Sequence, residues 1–143
     1  MTVHATDSEL HAALRARLPA ARVITDPLRR LAYGTDASFY RLVPRVVVVA
    51  ESEDDVRAVL DVCDAADTPL TFRAAGTSLS GQAISDSVLV LLGEGFRRIE
   101  VRDGGAAIRL GPAVIGAHAN RALAPLGRKI GPDPASIDAA KVG

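Results

Sequence analysis

The stretch Val46-Val47-Val48-Val49-Ala50-Glu51-Ser52-Glu53-Asp54-Asp55-Val56 decides the fold. Its unbroken β-branched run predicts a strand covered on both faces, as in α/β sheets. Ser52 is placed as the N-cap of a following helix, with Asp55 three residues on and acids suited to the positive end of the helix dipole. Val56, Val59, Leu60 and Cys63 then recur at helical spacing, and Ala66 completes the apolar stripe. Pro69 opens a second strand over residues 70–73. Residues 46–73 therefore form one strand–helix–strand unit, for which parallel strands joined by a right-handed crossover are the default.

Towards the N-terminus, Asp7 or Ser8 can cap a helix that carries Leu10, Ala13, Leu14 and Leu18 on one face, with Pro19 beyond its end. His4 and His11 are expected to face water, since no second ligand stands at metal spacing. Residues 23–40 read as a connection with turns at Asp26-Pro27 and Gly34-Thr35-Asp36, and Arg29, Arg30 and Arg41 as a solvated face. Towards the C-terminus, residues 88–92 predict a buried strand. Residues 98–102 alternate as a half-exposed strand, Asp103-Gly104-Gly105 makes a hairpin turn, and residues 106–110 pair back. A helix is expected over residues 115–126, with Ile115, Ala119, Ala122 and Leu123 inward and an end near Gly127. His118 on it is a surface or internally bonded histidine. Gly131-Pro132-Asp133-Pro134-Ala135-Ser136 gives a rigid extended turn, after which the chain ends at Gly143.

Composition narrows the function. Hydrophobic residues make up 48% of the 143, enough for a core. Aromatics are 3% and Trp is absent, which argues against single-stranded nucleic acid held by base stacking. Formal net charge is zero, so no global basic field attracts DNA or an anionic membrane. No apolar stretch approaches the ~20 residues that span a bilayer. The N-terminus lacks a signal-peptide pattern, and the single cysteine, Cys63, forms no intrachain disulfide and reads as a buried thiol. A soluble cytoplasmic protein without nucleic-acid partner is the expectation.

The chemistry-bearing stretch is Arg73-Ala74-Ala75-Gly76-Thr77-Ser78-Leu79-Ser80-Gly81-Gln82, between two predicted strands. Small residues let backbone N–H groups turn inward and form a concave anion site. Gly76 and Gly81 have the separation of a Walker A loop, but Gln82-Ala83 follows where the phosphate-binding Lys is required. Gly93-Glu94-Gly95 begins a dinucleotide fingerprint, but Arg98 stands at its third glycine and a strand follows instead of a helix. What remains is a loop that binds through amides and the hydroxyls of Thr77 and Ser78, or a plain surface loop. Hydrogen bonds to a charged partner contribute about 1.5–3 kcal/mol each, so three or four suffice for a pyrophosphate.

Arg73-Ala74-Ala75-Gly76-Thr77-Ser78-Leu79-Ser80-Gly81 resembles the R-x-x-G-T-S/G-L-S/T-G pyrophosphate loop of FAD-linked oxidases of the vanillyl-alcohol oxidase/PCMH superfamily, in particular the D-lactate, glycolate and D-2-hydroxyglutarate dehydrogenase branch. Pro44-Arg45-Val46-Val47-Val48-Val49-Ala50 with Ser52-Glu53-Asp54-Asp55-Val56 resembles the opening of that FAD domain, with Ala50 where the family usually has Pro. Tyr33-Gly34-Thr35-Asp36-Ala37-Ser38 resembles its Y-S-x-D-A-S. Residues 131–136 resemble its P-D-P-S/A-S segment, and Gly143 stands at the first glycine of the following pair.

The resemblance implies an α+β, sandwich-like α/β fold: the N-terminal subdomain of a PCMH-type FAD-binding domain, with a small mixed sheet flanked by helices. Residues 1–40 would be an N-terminal helix and lead-in, and residues 41–143 a truncated portion of the FAD domain. The implied cofactor residues are Arg73, Ala74, Ala75, Gly76, Thr77, Ser78, Leu79, Gly81 and Gln82 on one side, and Pro132, Asp133, Ser136 and Gly143 on the other. Members with histidine-linked flavin often carry His where this chain has Thr77, so non-covalent FAD is expected. No catalytic or metal residue is assigned, because the family's substrate residues lie beyond this stretch. The expected partners are FAD and the missing C-terminal half. The implied function is the FAD-binding portion of an oxidoreductase acting on a 2-hydroxy acid. A non-catalytic nucleotide-binding fragment and a self-associating remnant stay open as alternatives.

Overall fold

Four strands, β1 (Val23–Ile24), β2 (Val46–Ala50), β3 (Leu70–Arg73) and β4 (Val88–Leu92), form a sheet in the order β1-β2-β4-β3 in the computed structural model, which describes residues 5–143. β2 and β4 pair in parallel from Val46↔Val88 to Ala50↔Leu92, β3 pairs with β4 in parallel, and β1 joins β2 antiparallel. The expected parallel relation between β2 and β3 holds, with β4 inserted between them. The two central strands are apolar throughout, as a sheet covered on both faces requires.

Helices α1 (Asp7–Arg17) and α3 (Glu53–Ala65) cover one face. Leu10, Leu14, Leu18, Val59, Val62 and Cys63 meet Val46, Val48, Ala50, Val88 and Val90 there. The opposite face is thinner: Ile24, Val47 and Leu89 are buried, with the partly buried Tyr33, Val49 and Leu91 packed against them. A separate hairpin pairs β5 (Ile99–Arg102) with β6 (Ala107–Leu110) through a 3-10 turn at Asp103–Gly105. Helix α4 (Gly116–Leu123) continues into a 3-10 turn, Ala124–Leu126, and stops at Gly127 with φ +65°.

Helix boundaries follow local hydrogen bonding. Ser52 caps α3 as expected, and Asp55 returns the bond in a capping box. At the other end, Thr68 N–H bonds Cys63 O (2.9 Å) and Asp67 N–H bonds Asp64 O (3.1 Å). That is the Schellman pattern, with Asp67 at φ 44° where glycine is usual.

Several expectations need correction. The cap of α1 is Thr6, paired with Glu9, and neither Asp7 nor Ser8. Ala13 is exposed, and Leu60 is 44% exposed, so α3 buries Ala58 and Val62 instead. Residues 23–40 are more than a connection: they hold β1 and a helix, α2 (Pro27–Ala32), which Asp26 caps. Arg30 is not solvated, because its Nη1 donates to Pro44 O (3.1 Å) and Arg45 O (3.0 Å). His11 faces inward, with Nε2 at 3.1 Å from Arg45 O, whereas His4 lies outside the described residues. Ile115 precedes α4 as its N-cap. Val101 is 37% exposed, so the alternation expected in β5 is incomplete. No helix among the described residues is long and apolar enough to cross a membrane.

Candidate functional site

The parallel strands end together, so the segments that leave β2, β3 and β4 emerge at one end of the sheet, where open α/β sheets bind ligands. The loop after β3 is residues 74–82. Gly76 and Gly81 both have positive φ, +75° and +73°, a conformation that suits glycine. A Cβ on Gly76 would run into the Arg73 guanidinium, and one on Gly81 would lie 2.9 Å from Tyr40 Cδ2. Both glycines are therefore required twice, by conformation and by close packing.

Ala75, Gly76, Thr77, Ser78 and Leu79 donate no backbone hydrogen bond to other described residues. Later in the loop the amides are used. Ser78 Oγ accepts from Ser80 N–H and Gln82 N–H, both at 3.2 Å, and donates to Gln82 Oε1 at 3.1 Å. The Ser78 hydroxyl therefore shapes the loop's second half. Thr77 and Leu79 are exposed, Leu79 to 78%. A run of free amides with small side chains is a donor set that fits a pyrophosphate.

Arg73 is the last residue of β3, opposite Leu91 on the thinly covered face. Its Nη1 donates to three carbonyls: Thr35 O (2.8 Å), Tyr33 O (3.2 Å) and Ala83 O (3.3 Å). Its guanidinium carbon lies 5.8 Å from the centroid of the Tyr33 ring, within cation–π reach. Asp36 adds a second tie, accepting from Ser38 N–H (2.9 Å) and Ala83 N–H (3.3 Å). A hydrogen bond from the Ser38 side chain foremost, then these amide bonds and the Arg73 charge, hold its carboxyl below the usual aspartate range against the cost of desolvation. Ala37 N–H donates to Gly76 O at 3.2 Å.

The C-terminal segment reaches the same end of the sheet by a different route. Lys141 Nζ donates to Leu92 O, the last residue of β4, at 3.1 Å. Burial, followed by the nearby Arg97 charge, lowers its pKa. Lys141 also bridges Ile115, and Gly143 N–H donates to Pro112 O at 3.1 Å. Pro132, Asp133 and Ser136 are exposed, and Asp133 pairs with Lys129 at 3.1 Å. No hydrogen bond or ion pair joins residues 73–82 to residues 131–143 among the described residues.

The leading amides of α4 are already spent, Gly116 N–H on Ala140 O (3.1 Å) and Ala117 N–H on Ile137 O (3.0 Å). Gly93-Glu94-Gly95 also has a role distinct from phosphate binding. Glu51 Oε2 accepts from Gly95 N–H at 2.7 Å, and a Cβ on either glycine would collide with Glu51.

Four contributors to the loop were not assigned to it from the sequence: Tyr33, Thr35 and Asp36 at its neck, and Tyr40 against Gly81. The first three lie in the Tyr33–Ser38 stretch that carried only a family resemblance. Cys63 is buried, and burial pushes its thiol up to about 11. No group of His, Cys, Asp and Glu among the described residues could hold a metal ion.

Comparison with known proteins agrees with this geometry. The pattern of the FAD binding domain matches residues 44–143. Glycolate oxidase subunit GlcD of Escherichia coli (strain K12) is 31% identical over 134 residues, covering 92% of this chain and 27% of that protein. D-2-hydroxyglutarate dehydrogenase of Pantoea ananatis is 29% identical over 118 residues, covering 80% of this chain and 12% of that protein. The chain thus spans about a quarter or less of the length of these relatives. Among solved structures, alkyldihydroxyacetonephosphate synthase shares the fold at TM-score 0.77 and 14% identity, over 98% of this chain and 31% of that one. Substrate-bound p-cresol methylhydroxylase does so at TM-score 0.67 and 15% identity, over 84% and 25%. Strand order, loop and sequence pattern thus converge on one assignment: the chain belongs to the FAD binding domain family.

Proposed function

We propose that this chain holds FAD non-covalently, as the cofactor-binding part of a cytoplasmic oxidoreductase that oxidises a 2-hydroxy acid. The observation that carries the reading is the run of free amides over residues 75–79, held open by Gly76 and Gly81 at the carboxyl end of the sheet. Ala75, Gly76, Thr77 and Ser78 would direct N–H groups at the pyrophosphate, with Ala74, Leu79, Gly81 and Gln82 completing the cradle and Arg73 supporting it from beneath. Pro132, Asp133, Ser136 and Gly143 would border the cofactor's second side. FAD, when bound, supplies the hydride-accepting chemistry, and the protein binds and orients it. The substrate class follows from GlcD and D-2-hydroxyglutarate dehydrogenase, whose remaining length would carry the substrate residues.

Non-covalent binding is supported by Thr77, whose hydroxyl offers no imidazole for a flavin link, and by His11, which is turned to Arg45 O. Titration of the 143-residue chain with FAD tests the reading: flavin fluorescence should quench saturably, and colour should leave the acid-precipitated protein on washing. No saturable quenching at high micromolar FAD would overturn the cofactor assignment, and colour kept in the pellet would overturn the non-covalent one.

Self-association is favoured by one observation. Phe39 is fully exposed, and Tyr40 and Leu79 are 62% and 78% exposed beside the loop. Light scattering across concentrations, with and without FAD, measures it.

A further inference from the structure

We propose that Arg73 is a positioning residue, which shapes the pyrophosphate loop from beneath by clasping its neck and does not itself act as the phosphate ligand. The inference rests on the FAD reading for its consequence, but the clasp is testable without cofactor.

Three observations converge. First, Arg73 stands immediately before the loop and Ala83 immediately after it, so the Nη1 bond to Ala83 O closes the loop across its base. The same nitrogen holds Tyr33 O and Thr35 O, which fixes the preceding segment to that closure. Second, the guanidinium lies against Gly76, where a Cβ would sit, so its flat face supports the first turn of the loop. Third, the segment from Tyr33 to Ala37 contacts both ends of the loop independently: Ala37 N–H bonds Gly76 O, and Asp36 accepts from Ala83 N–H.

The result is a collar in which one cation satisfies three backbone carbonyls, while the amides of residues 75–79 stay without a hydrogen-bond acceptor among the described residues. Arginine suits the task because its planar group can bond at its edge and pack on its face at once, as a lysine ammonium cannot. The collar also reaches upstream of residue 44, where the FAD binding domain match begins. Residues 33–40 accordingly belong to the working cofactor loop.

The test uses the full chain with Arg73→Met and Arg73→Lys. Without FAD, hydrogen exchange at the Ala37 and Ala83 amides should accelerate at least tenfold in both variants. The β2 amides, as fold control, should keep their protection. With FAD, both variants should bind at least tenfold more weakly, because Lys keeps the charge but loses the flat group under Gly76. Unchanged protection at Ala37 and Ala83 would overturn the clasp. Recovery of FAD affinity by Arg73→Lys would overturn it as well, by showing that charge at the phosphate is what matters. Where Arg73→Met also loses β2 protection, Arg73→Lys carries the test alone. If the unaltered chain binds no FAD, the exchange arm still decides the clasp while the FAD reading falls.

Discussion

On one face of the sheet, α1 and α3 close over Val46, Val48, Ala50, Val88 and Val90. On the other, Ile24, Val47 and Leu89 are buried with Tyr33, Val49 and Leu91 packed against them, and Arg73 lies on this side. The first face is held by apolar burial, at about 1.5–3 kcal/mol for each fully buried large aliphatic side chain. The second buries fewer such side chains, Ile24, Val47 and Leu89, and adds directional bonds to backbone carbonyls, each with a net worth nearer 1 kcal/mol. The contrast teaches a division of labour: the helical face sets stability, and the thin face sets the shape of the loop.

The division can be broken most forcefully from the helical side. Leu14 is completely buried, and Leu14→Ala should lower the unfolding free energy by about 2–5 kcal/mol in denaturant titration. Loop amide shifts should stay unchanged while the chain is folded; parallel disturbance of Gly76 would show the faces to be one unit.

Gly76→Ala attacks the thin side. Positive φ alone costs an alanine about 1–2 kcal/mol, before any collision with Arg73. FAD affinity should fall roughly tenfold or more by fluorescence titration, with a smaller change in denaturation midpoint. An equal loss in both quantities would contradict the division.

Acid probes the same side more gently. The Asp36 carboxyl is held below the ordinary value of 3.8, so its tie to Ala83 persists above that value and is lost as pH falls through the lowered one. The Ser38 and Ala83 amide shifts should titrate with a midpoint below 3.8, and a midpoint above it would remove Asp36 from the collar.

The smallest effect belongs to Cys63. With its thiol raised to about 11, alkylation at neutral pH should be negligible in the folded chain and rapid in denaturant, by mass spectrometry. Fast labelling of folded protein would show that α3 opens away from the sheet.

Much of the helical face was legible in the sequence because its signals are local. The valine run of β2, the Ser52–Asp55 box and the stripe on α3 each declare themselves within a few residues. The insertion of β4 between β2 and β3 was not legible, since strand order depends on distant pairings that every apolar strand satisfies equally. β1 escaped because two residues carry no periodicity, and α2 because six residues barely do. Of the candidate site, the loop was readable from its glycines. Its collar was not: Arg30 and Arg73 look alike in sequence, yet both spend their charge on backbone carbonyls that no side-chain pattern reveals.

The free donors over residues 75–79 are main-chain groups. Every residue except proline supplies the same N–H, so no exchange of side chain can delete one directly. Drift at Ala75, Thr77 or Leu79 is therefore expected to be nearly silent over evolutionary time, while the loop stays hostage to the few positions that fix its path: Arg73, Gly76 and Gly81. A chemistry written in the shape of the backbone persists through turnover of most of the letters that spell it.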